Sequence, residues 1–491
     1  MTVLADRARA MLLDALELYR DSPRATNWLR RHIERLAEPL RLAVAGLPQT
    51  GRSTLVNSLV GEEIAPLLVE EGGQVLTWYR GGSVPRAQMY PTQAPPRDAP
   101  VARVDGRLHI DLEGWRADTL DRIVVDWPGR ALRGLTLIDT PALGADPAEP
   151  ATSTSDAAAD VGSRISLEAD AVLYLMRHLH STDVGFLQSL QDHPIARETP
   201  VNAVVVLSRA DEVGGGRIDA LTSAKRIARR YRTDVGLRGL CQNVIAVSGL
   251  LAHAGRSLTE AELASLAALA AVPRRELESC LVSADRFGGA GVPVPVDART
   301  RMALLDRFGL FGVRLVTTLI RQGYDDHAGL SAQLVARSGL EELRETIQQC
   351  FTDRHDVLKA RSAVLALEVV LRMEPRPAAR RLVSGLEQLV VSAHEFRELR
   401  LLAALHGGRT TLPDPLAGEA KRLVGGVGTG LAARLGFDHE PTGAELHGAV
   451  SEALRRWQEQ AENHALGSGQ RSAARVVVRS CEGMVARLAR Y

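Results

Sequence analysis

Apolar residues along this chain follow two rhythms. From Val3 to Pro39 they recur at helical spacing, with Leu29, Ile33, Leu36 and Leu40 on one face and Pro23 dividing two segments. Short unbroken apolar runs then take over: Leu42–Ala45, Leu135–Ile138, Ala171–Met176, Ala203–Leu207 and Val244–Val247. Each ends in a polar or glycine-rich turn, and helical stretches lie between several of them. Such alternation predicts a mostly parallel sheet covered by helices on both faces. Between Ser83 and Pro100 the prolines Pro85, Pro91, Pro95 and Pro96 predict an exposed loop or an edge hairpin inserted into that domain.

Past Ser257 the strand signal fades. Leu340, Leu343, Ile347 and Cys350 open a helical pattern that continues through Val357 and Leu365 to Met373, where Pro375 and Pro377 break it. A second run covers Ala378 to Leu405 and stops at Gly407-Gly408. Arg422–Phe437 is too rich in glycine for one rigid helix. The last helix carries Val477, Cys481, Met484 and Leu488 on one face. That stripe needs a partner, and Leu12, Leu16 and Tyr19 at the other chain end offer one. The expected divisions are N-terminal helices over 1–38, an α/β domain over 39–325, a helical region over 326–450 and a C-terminal helix over 451–491.

Composition narrows the function. A chain of 491 residues exceeds one hydrophobic core. Its net charge of +1 gives no electrostatic case for a nucleic-acid partner. Among 60 basic residues only Lys225, Lys359 and Lys421 are lysines, the codon bias of a GC-rich genome. Cys241, Cys280, Cys350 and Cys481 form no CxxC pair and read as reduced core residues of a cytosolic protein. No apolar stretch reaches membrane-spanning length, so any membrane contact is expected to be peripheral.

The chemistry begins at Gly46. The strand Leu42–Ala45 runs into Gly46-Leu47-Pro48-Gln49-Thr50-Gly51-Arg52-Ser53-Thr54 and then a helix, the context of a phosphate-binding loop. Glycines turn backbone N–H groups around a phosphate, and the helix N-terminus adds partial positive charge. Ser53 stands where a Mg²⁺-binding hydroxyl belongs, but Arg52 occupies the position of the usual lysine. Three strand-end motifs follow in order. The run 135–141 ends Asp139-Thr140-Pro141, where a GTPase places its Mg²⁺-linked aspartate. The run 204–211 ends Ser208-Arg209-Ala210-Asp211, where Asn/Thr-Lys-x-Asp would read guanine. Val244–Val247 leads to Ser248-Gly249, a last guanine-side loop. This order predicts an α/β P-loop GTPase domain joined to an all-α bundle.

With these residues in hand, the chain resembles dynamin-like proteins of actinobacteria. These include the isoniazid-induced mycobacterial dynamin pair, its C member in particular, and the Streptomyces pair acting at sporulation septa. The resemblance runs nearly end to end, through segments 36–41, 53–57, 208–212, 216–220, 295–298 and Arg307-Phe308-Gly309-Leu310-Phe311-Gly312. It implies a GTPase domain, a helical neck built from both chain ends, and a trunk whose tip touches membrane. The Pro375 turn and Arg422–Phe437 are the tip candidates. It also implies GTP/GDP and Mg²⁺ as ligands of a competent site. The implied partners are a second dynamin-like protein, further copies of itself and division-septum proteins. The implied location is the cytoplasmic face of the membrane, septa included.

The site departs from that family's pattern in several places. Arg52 keeps the lysine charge in a bulkier planar fork. The γ-phosphate-sensing threonine aligns near Gly73, which has no hydroxyl, and the nearest one, Thr77, is expected inside a strand. Ala142 follows Asp139-Thr140-Pro141 where the family has glycine. Of the loop residues that would orient a water, only Gln49 is a candidate. Together these predict a degenerate, weakly hydrolysing or pseudo-GTPase partner, with an active membrane-remodelling GTPase as the alternative.

Overall fold

The structure is a computed structural model describing residues 3–65, 75–104, 106–141, 154–191 and 202–489, with side chains throughout except at 118 and 154–160. Two helices open it, Val3–Leu18 and Pro23–Arg35, the second capped by the Ser22 hydroxyl with Pro23 in its first turn. The helical stripe expected to reach Leu40 stops at Leu36. Pro39 forces extended backbone before it, and Leu40 instead begins a strand.

Eleven strands are described: β1 Leu40–Gly46, β2 Leu76–Gly81, β3 Arg86–Pro91, β4 Arg97–Ala99, β5 Val101–Val104, β6 Arg107–Ile110, β7 Leu120–Trp127, β8 Leu135–Asp139, β9 Ala171–Met176, β10 Ala203–Leu207 and β11 Val244–Ala246. Nine of them form one sheet in the order β11-β10-β9-β1-β8-β2-β7-β3-β4, and β5–β6 pair separately. From β11 to β8 every pairing is parallel. Each residue of β1, β9 and β10 is buried, which is why these strands read as unbroken apolar runs. Beyond β8 the sheet is mixed: β2 is antiparallel to β8 but parallel to β7, and β3–β4 form the antiparallel edge hairpin expected over Ser83–Pro100.

One sheet face packs on Leu55 and Val56 of the helix Arg52–Val60, with Leu340, Leu343, Ile347 and Phe351. The opposite face packs on Ile165, Phe186, Leu187, Ala224 and Ala228. The α/β body therefore extends past the expected limit at 325. The helix Leu340–Cys350 contributes to the sheet's own core, and His327–Ser338 lies on Gly249–Arg256. The division falls at the start of the helix His355–Met373, where Leu358 joins the sheet core and Val357 the bundle core.

The bundle has one continuous core. It holds Leu12 and Tyr19 together with Val477, Cys481 and Met484, with Leu16 and Leu488 packed against it. Val3–Leu18 lies chiefly on His355–Met373 and Pro23–Arg35, whereas Ser468–Leu488 lies on Gly443–Glu462 and His394–His406. The two end stripes thus share a body through intervening helices. At one end of the bundle, Tyr19 Oη donates to the Glu374 carbonyl (2.8 Å) and Ser22 Oγ to the Glu374 carboxylate (2.7 Å). Arg376 pairs with Asp21 (2.6 Å) there, so the Pro375 turn is tied to the first interhelical turn. The glycine-rich segment is broken as expected, with Gly425 and Gly436 in left-handed backbone. It folds onto a buried cluster in which Arg434 and Arg354 both pair with Glu398 (2.5 and 3.5 Å).

The bundle meets the sheet through Asp170, the residue before β9. Its carboxylate accepts from Arg35 Nη2 (2.6 Å), Ser362 Oγ (2.6 Å), Lys359 Nζ (2.9 Å) and the Arg41 amide (2.9 Å). Lys359 also donates to the Pro39 carbonyl at 2.8 Å. All four cysteines carry free thiols.

Candidate functional site

β1 ends at Gly46, where a side chain has no room: a Cβ would stand 2.5 Å from the Leu175 carbonyl oxygen and 2.9 Å from Thr50 Oγ1. The loop then passes through two left-handed residues, exposed Gln49 (φ 59°) and Gly51 (φ 84°), the second being the N-cap of the helix Arg52–Val60. Thr50 Oγ1 closes the turn on the Leu47 carbonyl at 2.8 Å. Strand, loop and helix follow one another in the order read from the sequence, with the helix N-terminus facing the ends of β1 and β8.

Arg52 is buried, and its guanidinium donates to the Thr140 carbonyl. Burial lowers its pKa, with Asp139 acting in the opposite sense. Ser53 Oγ donates to Asp139 Oδ2 at 3.0 Å. Asp139 keeps a sliver of exposure, yet it is enclosed enough that burial raises its pKa against the pull of Arg52 and Ser53. Ligands at about 2.0–2.1 Å in an octahedral Mg²⁺ shell lie about 3 Å from their neighbours. The Ser53 and Asp139 oxygens have that spacing, and Asp139 is short of positive charge, so this pair fits Mg²⁺. Bound there, the ion would supply the charge that phosphoryl oxygens require. Thr77 lies in β2, as expected, directly across the ladder from Asp139. Its hydroxyl is buried and donates to the Val75 carbonyl at 3.2 Å. Ala142 and Gly73 lie outside the described residues.

The second group of expected residues gathers at the ends of β10 and β11. Ser208 Oγ donates into the sheet, to the Met176 carbonyl (3.1 Å). Arg209, at φ 49°, extends to Glu212 (2.7 Å), which also holds Arg177 (2.8 Å). Asp211 is buried, and desolvation raises its pKa while a hydrogen bond from Ser248 resists the change. Ser248 is itself the N-cap of Gly249–Arg256, accepting from the Leu251 amide at 3.2 Å. A cavity of about 150 Å³ joins the groups, lined by Thr50, Gly51, Thr54, Ser208, Arg209 and Asp211 among others. It is smaller than the roughly 300–1,000 Å³ of most ligand pockets, and its walls come from both the phosphate loop and the base side.

One neighbour of this site escaped the sequence reading. The helix Ala298–Arg321 breaks at Gly309 (φ 65°, ψ 172°). A Cβ there would lie 3.3 Å from Leu250 and 3.8 Å from Asp211 Oδ2. Left-handed backbone favours glycine, so the helix bends where it reaches the aspartate. The signal was the glycine within Arg307–Gly312.

Known proteins can be set beside this geometry. No model of a protein family matches the chain. The isoniazid-induced protein IniC of Mycobacterium tuberculosis, in strains CDC 1551/Oshkosh and ATCC 25618/H37Rv, is 38% identical over 497 aligned residues, covering 98% of both chains. This chain belongs to the IniC family. Its relative is the isoniazid-induced protein that the sequence resembles. Among solved structures, a chain of an oligomerised bacterial dynamin pair aligns at 12% identity and TM-score 0.29, covering 99% of this chain and 75% of its own. The G domain of the Thermotoga maritima FeoB iron transporter aligns at 14% identity and TM-score 0.20, covering 43% of this chain and 88% of its own. At such scores the superpositions support no argument about this member of the IniC family.

Proposed function

We propose that this IniC-family protein is a dynamin-like partner or scaffold whose nucleotide site binds GTP or GDP with Mg²⁺ but hydrolyses poorly. It acts at the cytoplasmic face of the membrane, in division or sporulation septa or in envelope-stress maintenance. There it joins a second dynamin-like protein or further copies of itself. The observation that carries the reading is Arg52. Phosphoryl transfer depends on charge preorganised at the phosphates, and the guanidinium in the lysine position is directed to the Thr140 carbonyl. Loss of one such donor lowers turnover by roughly 10²–10³. No helix among the described residues is long and apolar enough to cross a membrane, consistent with peripheral contact.

The alternative, an active GTPase, draws support from the Ser53–Asp139 pair and from buried Asp211. Two measurements separate the readings. Nucleotide titration of the isolated protein should give Mg²⁺-dependent binding, and steady-state assay should give no GTP turnover above background. Turnover of about one per minute or faster, a barrier near 20 kcal/mol, would sink the degenerate reading. Pull-down and light scattering that find only free monomer at micromolar concentration, with and without GTP, would sink the partner role.

A further inference from the structure

At the opposite end of the sheet from the P-loop lies a much larger groove, about 1100 Å³, between the end of Pro23–Arg35 and the starts of β1 and β8. Its floor is the face of the mixed half of the sheet. Trp78 on β2 and Arg122 and Val124 on β7 point to it, and Tyr90 on β3 pairs with Arg122 across the ladder. Six arginines line it, Arg31, Arg41, Arg80, Arg122, Arg130 and Arg133, against two acids, Glu34 and Glu38.

Three features distinguish this groove from a solvated charged surface. Trp78 is only 8% exposed, and two guanidiniums flank its ring, Arg41 at 4.6 Å and Arg122 at 5.1 Å from the centroid. Arg122 also stacks on Tyr90 at 4.4 Å. Cation–π contact holds these cations in place without neutralising them. Second, Trp78 Nε1 and Arg122 Nε are buried donors with no acceptor among the described residues. Buried donors left unpaired are costly, so the floor of the groove is short of acceptors. Third, Arg130 and Arg133 at the rim are exposed and form no ion pair with a described residue. Arg31, Arg41, Arg80 and Arg122 do have acidic partners, Glu168, Glu38, Asp126 and Asp121, so the surplus lies with Arg130 and Arg133 at the rim and the unmet donors at the floor.

We propose that this groove binds a phosphorylated anion carrying two or more charges, seated between the rim arginines and the Trp78–Arg122 floor. Arginine forks match phosphoryl oxygens, and a doubly charged group fits the surplus. The groove joins residues of the N-terminal helices to strands β1, β2, β7 and β8, so an occupant would brace the bundle against the sheet. The same chemistry is offered by a free polyphosphate and by a lipid headgroup that carries two phosphates.

The test uses the full chain. Inorganic triphosphate is titrated by calorimetry at low ionic strength without Mg²⁺. Vesicles of cardiolipin, whose headgroup carries two phosphates, in phosphatidylcholine are co-sedimented in parallel. The expected result is saturable, salt-sensitive binding to at least one probe, weakened about ten-fold or more by Arg130→Glu with Arg133→Glu and retained by Arg52→Ala. Both substituted side chains are exposed, and circular dichroism checks the fold; if the double variant is damaged, Arg133→Gln alone serves. Binding of triphosphate alone makes the ligand a free anion, and binding of vesicles alone makes it a headgroup, each sustaining the site. Binding to neither probe overturns it, as does binding that Arg52→Ala abolishes and the rim variants leave untouched.

Discussion

Two enclosed aspartates stand at opposite ends of the central strands, and they are treated oppositely. Asp170, before β9, faces Arg35 and Lys359, accepts from Ser362 and the Arg41 amide, and is held below the usual carboxylate range despite complete burial. Asp139, at the end of β8, has only Arg52 and Ser53 to favour its charge among the described residues, and burial wins, raising its pKa. A charge that serves the architecture is saturated by its neighbours. A charge left short of compensation is poised to receive a cation from outside, as Mg²⁺ would be.

The largest expected effect breaks the first half of that contrast. Asp170→Ala leaves Arg35 and Lys359 buried without their anion and should cost about 3–5 kcal/mol in urea unfolding. Asp139→Ala in the same assay should change stability by less than about 1 kcal/mol, because its carboxylate is already disfavoured by burial. Equal losses would erase the distinction.

A smaller effect comes from His32, whose ring packs at a tilt against Trp28 near Asp170. Burial first, then the charges of Arg35, Arg31 and Arg41, push its pKa down to about 2, with Asp170 opposing. The unfolded chain therefore binds a proton below about pH 6.5 that the folded chain refuses, and stability falls as pH falls. Between pH 6.5 and 5 this should amount to about 1.5 kcal/mol, and His32→Gln should flatten that slope.

Asp139 should show the reverse sign. With its folded pKa raised, stability is greatest with the carboxyl protonated and declines as pH rises through the normal carboxylate range to the raised value. The slope is at most about 1.4 kcal/mol per pH unit, and Asp139→Asn should remove it. Added Mg²⁺ should compete with that proton, seen as proton release in buffers of different ionisation enthalpy. The smallest effect is Ser53→Ala, about 0.5 kcal/mol for the lost hydrogen bond, together with weaker Mg²⁺-dependent binding in calorimetry.

The half of the fold that sequence could show was the half with unmixed surroundings. β1, β8, β9, β10 and β11 are strongly apolar because helices cover both faces. β7 was unreadable for the opposite reason: Asp121, Arg122 and Asp126 break its apolar run, and Arg122 faces a polar groove. The helix Leu340–Cys350 was visible as a helix but not as part of the sheet's core, because an apolar stripe does not say what it will meet. Within the candidate site, glycines and strand-end aspartates were legible because their chemistry fixes their place. Arg52's turn toward Thr140 and Gly309's approach to Asp211 were not, since each depends on a neighbour far away in the chain.

Lys359 sits at the seam between bundle and sheet, its amine divided between Asp170 and Pro39. Only two other lysines exist, Lys225 and Lys421, and both are partly exposed. Amine-reactive labels should therefore modify those two readily and leave the third silent in the closed molecule. Any nucleotide, partner or lipid that pries the seam apart would switch on a single new acylation site, readable as one peptide by mass spectrometry. The scarcity of lysine thus gives the protein a built-in reporter of its own opening.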